Sequence, residues 1–169
     1  MVTKNTQKIG ILADTHGSLP QGAYAALANC DYLVHAGDIG AQHVIDELET
    51  IAPVTAVLGN CDYPEYVTQT GSVATWAQFE KSGVCFLIAH KPKDLMATLR
   101  SKGILQSVAS APECVGIHGH THRAHIQKTG RLTVLCPGSP THPREGDKPS
   151  VAVVTVEDGS VKDTELIEL

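Results

Sequence analysis

Apolar residues along this chain come in short runs, and most of the runs stop at a polar residue. KIGILAD (8–14) reads as a buried strand running into THGS. Residues 20–29 open with Pro20 and are rich in alanine, which predicts a helix with proline in its first turn. DYLVHAGD (31–38) is a second strand that ends in Gly-Asp. In 41–51 the apolar Val44, Ile45, Leu48 and Ile51 fall at helical spacing. PVTAVLGNCD (53–62) is a third strand with a Gly-led exit. This β-α-β-α-β order is the pattern of a parallel sheet with crossover helices.

The pattern then changes. Residues 72–80 and 84–90 read as a hairpin, 93–104 as a third helix and 113–118 as a strand followed by the loop GHTH. A hairpin over 123–136 turns at Thr129-Gly130, a Pro/Gly-rich loop spans 136–150, and a last hairpin over 151–169 turns at Asp158-Gly159. With no linker and no repeat, the pattern predicts one domain over 1–169, an α/β fold with one mainly parallel and one mainly antiparallel sheet.

Composition narrows the class. Apolar residues make up 42% and aromatics only 4%, so aliphatic side chains must build the core. The net charge of −5, with no Lys/Arg run, excludes bulk nucleic-acid binding through the phosphate backbone but not a small phosphate ester. Five scattered cysteines without a C-x-x-C pair are neither a disulfide framework nor a thiolate zinc site. The N-terminal apolar run is too short for a leader or a membrane span, so a soluble, cytoplasmic protein is expected.

The polar residues at the strand ends carry the chemistry. Asp14 and His16 follow the first strand, Asp38 the second, Asn60 the third, His90 the fifth, and His120 and His122 the strand at 113–118. Ligands in open α/β sheets bind outside the carboxyl ends of strands, and here seven N/O donors reach that rim from five loops. Three oxygens and four imidazoles suit Mn, Fe or Zn. Seven donors exceed what one such ion takes, and suit two metals that share a carboxylate and clamp a phosphoryl group.

In order along the chain stand D-x-H (Asp14, His16), GD (Gly37, Asp38), GN (Gly59, Asn60), the lone His90 and GHTH (Gly119 to His122). On these motifs the chain resembles the calcineurin-like metallophosphoesterases. Gly59-Asn60-Cys61-Asp62 and Pro137-Gly138-Ser139 with Pro143-Arg144 make it similar to their small YfcE-type phosphodiesterases. The resemblance implies a four-layer α-β-β-α sandwich of two mixed sheets. It implies one metal on Asp14, His16, Asp38 and His122 and a second on Asp38, Asn60, His90 and His120, with Asp38 bridging. A bridging water or hydroxide would attack phosphorus. The metals would be two divalent transition ions, Mn first, with Fe, Ni or Zn as substitutes. Catalysis would involve Asp38, Asn60 and Cys61, and substrate contacts Asn60, His142 and Arg144. The expected activity is hydrolysis of small phosphodiesters. The alternatives are a phosphomonoesterase or nucleotide pyrophosphatase on the same site, or a scaffold like the retromer subunit of this fold. Small relatives commonly associate, which makes a homo-oligomer an expectation.

Two positions depart from the family pattern. Cys61 stands where many relatives have the histidine of GNH, and its simplest reading is a side chain packed beneath the loop. Lys91-Pro92 replaces Gly-His, with Lys91 read as solvated. Of the other histidines, His118 and His35 are expected to be interior or to support the ligands. His43 is expected to be exposed and His125 structural. Asp62 is expected to orient a ligand or cap a turn.

Overall fold

The structure, a computed structural model, describes residues 6–106 and 111–169. Residues 1–5, which begin the N-terminal stretch with the short apolar run, lie outside the described residues. β1 (Gln7–Leu12), α1 (Gln21–Leu27), β2 (Tyr32–His35), α2 (Gln42–Glu49) and β3 (Val54–Ala56) come first. A small ribbon of β4 (Val67–Thr68) and β5 (Gly71–Ser72) precedes the hairpin of β6 (Trp76–Lys81) and β7 (Val84–Ala89). α3 (Pro92–Ser101) and a 3-10 turn at Ile104–Gln106 lead to β8 (Cys114–Ile117). Two hairpins follow, β9 (His125–Thr129) with β10 (Leu132–Cys136) and β11 (Ser150–Glu157) with β12 (Ser160–Glu168).

The strands form two five-stranded sheets, ordered β12-β11-β1-β2-β3 and β6-β7-β8-β10-β9. Neither is mainly parallel or mainly antiparallel, which corrects that expectation. In the first, β1-β2 and β2-β3 are parallel, and the C-terminal hairpin adds β11 and β12 antiparallel on β1. In the second, the crossover through α3 makes β7 and β8 parallel, and β10 also joins β8 in parallel, flanked by antiparallel β6 and β9. A helical crossover returns the chain in its original direction, so β7-α3-β8 is a second βαβ unit.

Strand alternation sorts the apolar side chains into layers. Ile9, Ile11, Val34, Ala152, Val154 and Val156 of the first sheet face Val84, Phe86, Ile88, Val115, Ile117 and Leu135 of the second. Phe86 stacks on Phe79 with ring centroids 5.0 Å apart. On the outer face of the first sheet, Ala23 and Leu27 of α1 and Val44, Ile45 and Leu48 of α2 pack on Leu12, Leu33, Val54 and Val151. On the outer face of the second, Leu95 and Leu99 of α3 cover Leu87, Ala89 and Cys114. These three clusters are the seams of an α-β-β-α sandwich. α3 begins with Pro92 in its first turn and carries Asp94 there and Arg100 in its last turn, as the helix dipole favours.

The elements sit where the apolar pattern puts them, with shorter strands. β1, β2 and β3 end before Asp14, Asp38 and Asn60, and the strand expected from residue 72 begins at Trp76. The ribbon β4-β5 is an addition. Among the described residues no helix is long and apolar enough to cross a membrane.

Candidate metal centre

The strand ends that carry the polar residues meet at one rim, and the backbone there is unusual. Asp14, His16, Asp38, His120 and His122 all have positive φ, between 48° and 68°. That conformation breaks the strands, which is why β1 and β2 stop short. The freed backbone groups are still paired. Asp14 N–H donates to Gly37 O at 2.9 Å, His16 N–H to Asp38 O at 3.0 Å and Gly17 N–H to Ile39 O at 2.7 Å. The β1 and β2 loops are thus laced together residue by residue.

Glycine is required where the loops touch. A Cβ on Gly37, itself at φ 94°, would lie 2.6 Å from His90 Nδ1. A Cβ on Gly59 would fall on the Asp38 carboxylate. Both positions let backbone approach a functional side chain more closely than any side chain allows.

Within this frame one ligand atom each of Asp14, His16, Asp38 and His122 lies within 4.8 Å of the others. His122 Nε2 is 3.4 Å from Asp14 Oδ1 and 3.5 Å from His16 Nε2, and His16 Nε2 is 4.0 Å from Asp38 Oδ2. On the other side of Asp38, His90 Nε2 lies 3.5 Å from Asp38 Oδ1 and 3.2 Å from Asn60 Oδ1. The His120 ring stands edge-on to the His90 ring, centroids 5.2 Å apart. All seven residues named from sequence come together, and Asp38 lies between the two groups.

Two rings have their proton placed by a carbonyl. His90 Nδ1–H donates to Ala36 O at 2.8 Å, and His122 Nδ1–H donates to His142 O. In the neutral rings this leaves the Nε2 lone pairs pointing at carboxylate and amide oxygens. Acceptor then faces acceptor, which repels unless a proton or a cation lies between.

Charge points the same way. Asp14 is fully buried, and among the described residues its carboxylate accepts hydrogen bonds from His120 N–H alone, at 3.0 and 3.2 Å. Burial, helped by the Asp38 charge, pushes its carboxyl up to about 7. Burial also works against the Asp38 charge, but bonds from His90 and from Cys61 N–H outweigh it and hold that carboxyl below the usual range. His90 is raised, since its bonds to Asp38 and Ala36 O overcome its own burial. Burial lowers His16 and His120. Packed carboxylates and imidazole lone pairs at contact distance, in this N/O mixture, fit divalent transition metals.

The supporting residues are only partly those expected. Asp62 ties two loops, its Oδ2 accepting Gly59 N–H at 2.8 Å and Ile39 N–H at 3.1 Å, and its Oδ1 accepting Gly40 N–H at 3.0 Å. His35 is fully buried. Gly37 N–H donates to its Nδ1 at 3.2 Å, its Nε2–H donates to Thr15 Oγ1 at 2.8 Å, and Thr15 donates onward to Ile39 O. Ser139 was named from sequence only as part of the Pro-Gly-Ser motif, without a role, and Thr141 was not singled out. Ser139 Oγ–H donates to Asp14 O at 2.8 Å, and Thr141 Oγ–H to Asp14 O and Thr15 O at 3.1 and 3.2 Å. These two hydroxyls pin the Pro/Gly-rich loop beneath the first ligand. Hydroxyls in such a loop were the available signal, and loop composition alone does not say what they reach.

The same pinning brings His142 to the rim, its ring 5.1 Å from that of His16. Thr141 Oγ1 spends its proton on the carbonyls, so it accepts from His142 Nδ1–H at 2.8 Å and leaves His142 Nε2 directed elsewhere. Arg144 is exposed and donates through Nε to Thr121 O at 3.0 Å, close enough for its charge to be felt at Asp14. Cys61 is exposed rather than packed beneath its loop, which corrects the simplest reading of it. The reason is the Asp38 carboxylate, which accepts from the Cys61 backbone N–H at 2.9 Å and from its thiol and so holds the residue at the rim, where Asn60 Nδ2–H donates to its sulfur at 3.3 Å. Burial and the Asp38 carboxylate raise its thiol. Lys91 is half-buried beside a cleft of about 180 Å³ that also touches Asn60, Thr75 and His90. His118 is buried against His125, rings 5.1 Å apart, with Nδ1–H on Gly119 O, while His43 is exposed on α2.

Comparison with known proteins bears on family and fold. Residues 8–159 match the calcineurin-like phosphoesterase superfamily domain. A probable metallophosphoesterase of Methanothermobacter thermautotrophicus is 32% identical over 164 residues, covering 94% of this chain and 91% of that protein. Among solved structures, an archaeal phosphodiesterase superposes with a TM-score of 0.73 at 24% identity, covering 96% of this chain and 99% of that one. Vacuolar protein sorting 29 of Cryptosporidium parvum superposes with 0.69 at 18% identity, covering 97% and 98%. Both superpositions bear on the fold, while the family match and the 32% identity establish descent, and the chain belongs to the calcineurin-like phosphoesterase superfamily.

Proposed function

We propose that this chain is a metal-dependent phosphodiesterase that hydrolyses small phosphodiesters at a dinuclear site, with Mn as the first choice of metal and Fe, Ni or Zn as substitutes. The observation that carries the reading is the cluster of Asp14, His16, Asp38 and His122, whose ligand atoms lie within 4.8 Å of one another. These four would hold one ion. Asp38, Asn60, His90 and His120 would hold the other. When bound, such ions neutralise the carboxylates, lower the pKa of coordinated water toward ~7 and draw charge from the phosphoryl oxygens.

The chain's own residues do the rest. The Ala36 and His142 carbonyls hold the His90 and His122 rings in the tautomer that leaves Nε2 free. Arg144, tethered through Nε alone among the described residues, has its terminal guanidinium nitrogens for a phosphate oxygen. His142 Nε2 and the Asn60 amide offer further contacts from two sides of the cluster. The Cys61 thiol, kept protonated and exposed, is the group nearest in sequence to where relatives place a histidine, and a thiol is a weaker proton donor to a poor leaving group. An acidic chain with these few cations suits a small ester rather than a polynucleotide.

The test is a hydrolysis panel on metal-stripped protein, restoring Mn, Fe, Ni, Zn or Mg in turn, with bis(p-nitrophenyl) phosphate, p-nitrophenyl phosphate and a nucleotide pyrophosphate. Metal-restored cleavage of the diester above both others is the expected result. Preference for a monoester or a pyrophosphate would move the reaction class. Inactivity with every metal, and no stoichiometric metal bound, would favour the scaffold reading that the vacuolar protein sorting 29 likeness in fold keeps in view.

A further inference from the structure

The outer face of the second sheet carries a feature that the phosphoesterase site does not use. Cys85 on β7 and Cys114 on β8 are direct partners in the parallel register. Both point outward, among the residues under α3. Cys114 is 3% exposed and its thiol is hydrogen-bonded to the Cys85 sulfur, whereas Cys85 is partly open. Gln78 Nε2–H also donates to Cys85 Sγ, at 3.7 Å. The pair forms one wall of a cavity of about 420 Å³, lined as well by Gln78, Glu80, Lys102 and Ile104.

We infer that Cys85 and Cys114 form a reactive dithiol that a low-molecular-weight disulfide entering this cavity oxidises to a Cys85–Cys114 disulfide. Register partners on adjacent strands have Cα atoms about 4.8 Å apart, inside the range a disulfide spans. The donors that converge on Cys85 stabilise its thiolate. The Cys114 bond lowers its pKa, burial opposes this, the Gln78 bond and the Lys102 charge assist, and the Glu80 carboxylate on β6 opposes. Cys114 is shifted the opposite way by the same bond and by burial. Cys30 and Cys136 are buried and raised, and Cys61 is exposed but raised. Accessibility and thiolate character coincide at Cys85 among the described cysteines.

The exchange balances without another reactant. The Cys85 thiolate attacks one sulfur of the small disulfide, a Cys85–SR bond forms, and the first RS⁻ leaves and takes the proton that Cys85 had lost. Cys114 then releases its proton to the second leaving group as its sulfur attacks that of Cys85 and the Cys85–SR bond breaks. Two protein thiols and one small disulfide become one protein disulfide and two small thiols.

The experiment is brief exposure of the native protein to oxidised glutathione at neutral pH, an alkylating quench and peptide mapping by mass spectrometry. The Cys85 and Cys114 peptides are expected to appear linked, with Cys85 consumed roughly tenfold faster than Cys61. Cys114→Ala should trap Cys85 as the glutathione mixed disulfide, and Cys85→Ala should leave Cys114 reduced. Reaction at Cys61 while Cys85 stays reduced would overturn the inference. So would a Cys85 mixed disulfide that persists in the native protein. Both results are read on unmodified sequence, so they stand even if a variant fails to fold.

Discussion

Asp14 and His122 face each other at 3.4 Å, carboxylate oxygen to imidazole Nε2, with the other nitrogen of the ring already committed to the His142 carbonyl. The opening strand and the loop that follows β8 thus meet through two acceptors. Such a contact is held by the lacing around it and calls for a positive charge between its halves.

In the proposed ligand sets Asp38 serves both ions and Asp14 only one, so their asparagine variants should differ in metal content. Elemental analysis should find about two ions per native chain, about one in Asp14→Asn and fewer than one in Asp38→Asn. Both variants should lose diester hydrolysis by at least roughly 100-fold. Equal metal content in the two variants would contradict the shared position of Asp38.

Cys61 gives a prediction about leaving groups. Native protein should cleave activated aryl diesters much better than alkyl monoesters, and Cys61→His should narrow that gap by roughly tenfold or more. The measurement is the ratio of kcat/KM for the two substrates. An unchanged ratio would remove Cys61 from any account of substrate preference.

Gly59→Ala should be inactive and less stable, because its Cβ would fall on both the carboxylate and the backbone nitrogen of Asp38. Gly22→Ala is the matched control. It lies in α1, where the new methyl would meet Leu169 at an ordinary 3.4 Å, and should add about 0.5–1 kcal/mol of stability without changing activity. Thermal melts and diester assays on the pair check both halves.

His35 ties stability to pH. Burial lowers its pKa from 6.5 to about 4 in the folded protein, so the unfolded chain binds more protons between those values. Its contribution is complete above the unfolded pKa and is lost as pH falls through this window. Between about pH 7.5 and about pH 5, the native protein should lose about 2 kcal/mol relative to His35→Gln. Urea unfolding of both proteins with a chelator present measures the difference.

The sequence was legible where side-chain type and position coincide. Asp14, His16, Asp38, Asn60, His90, His120 and His122 could be named because each follows an apolar run, and strand ends define a rim. Strand lengths were misread because Asp14 and Asp38 still look like the last residues of their runs, while their positive φ has already ended the ladder. The family resemblance implied two mixed sheets, but the apolar pattern alone did not, because VCFLIAH and ECVGIH were not joined through α3 as one crossover unit. Ser139 and Thr141 bond main-chain carbonyls rather than side chains, so nothing in the identity of Asp14 or Thr15 advertises them.

The positive φ at five of the donors restricts which residues can replace them. Glycine, asparagine, aspartate and histidine enter that region at the least strain, whereas β-branched residues are nearly barred. Backbone tolerance and ligating chemistry therefore select overlapping alphabets. A drift from aspartate or histidine to asparagine or glycine would empty the site of charge and leave the lacing, the rim and both sheets in place. A chain built this way can lose its chemistry and keep its surface.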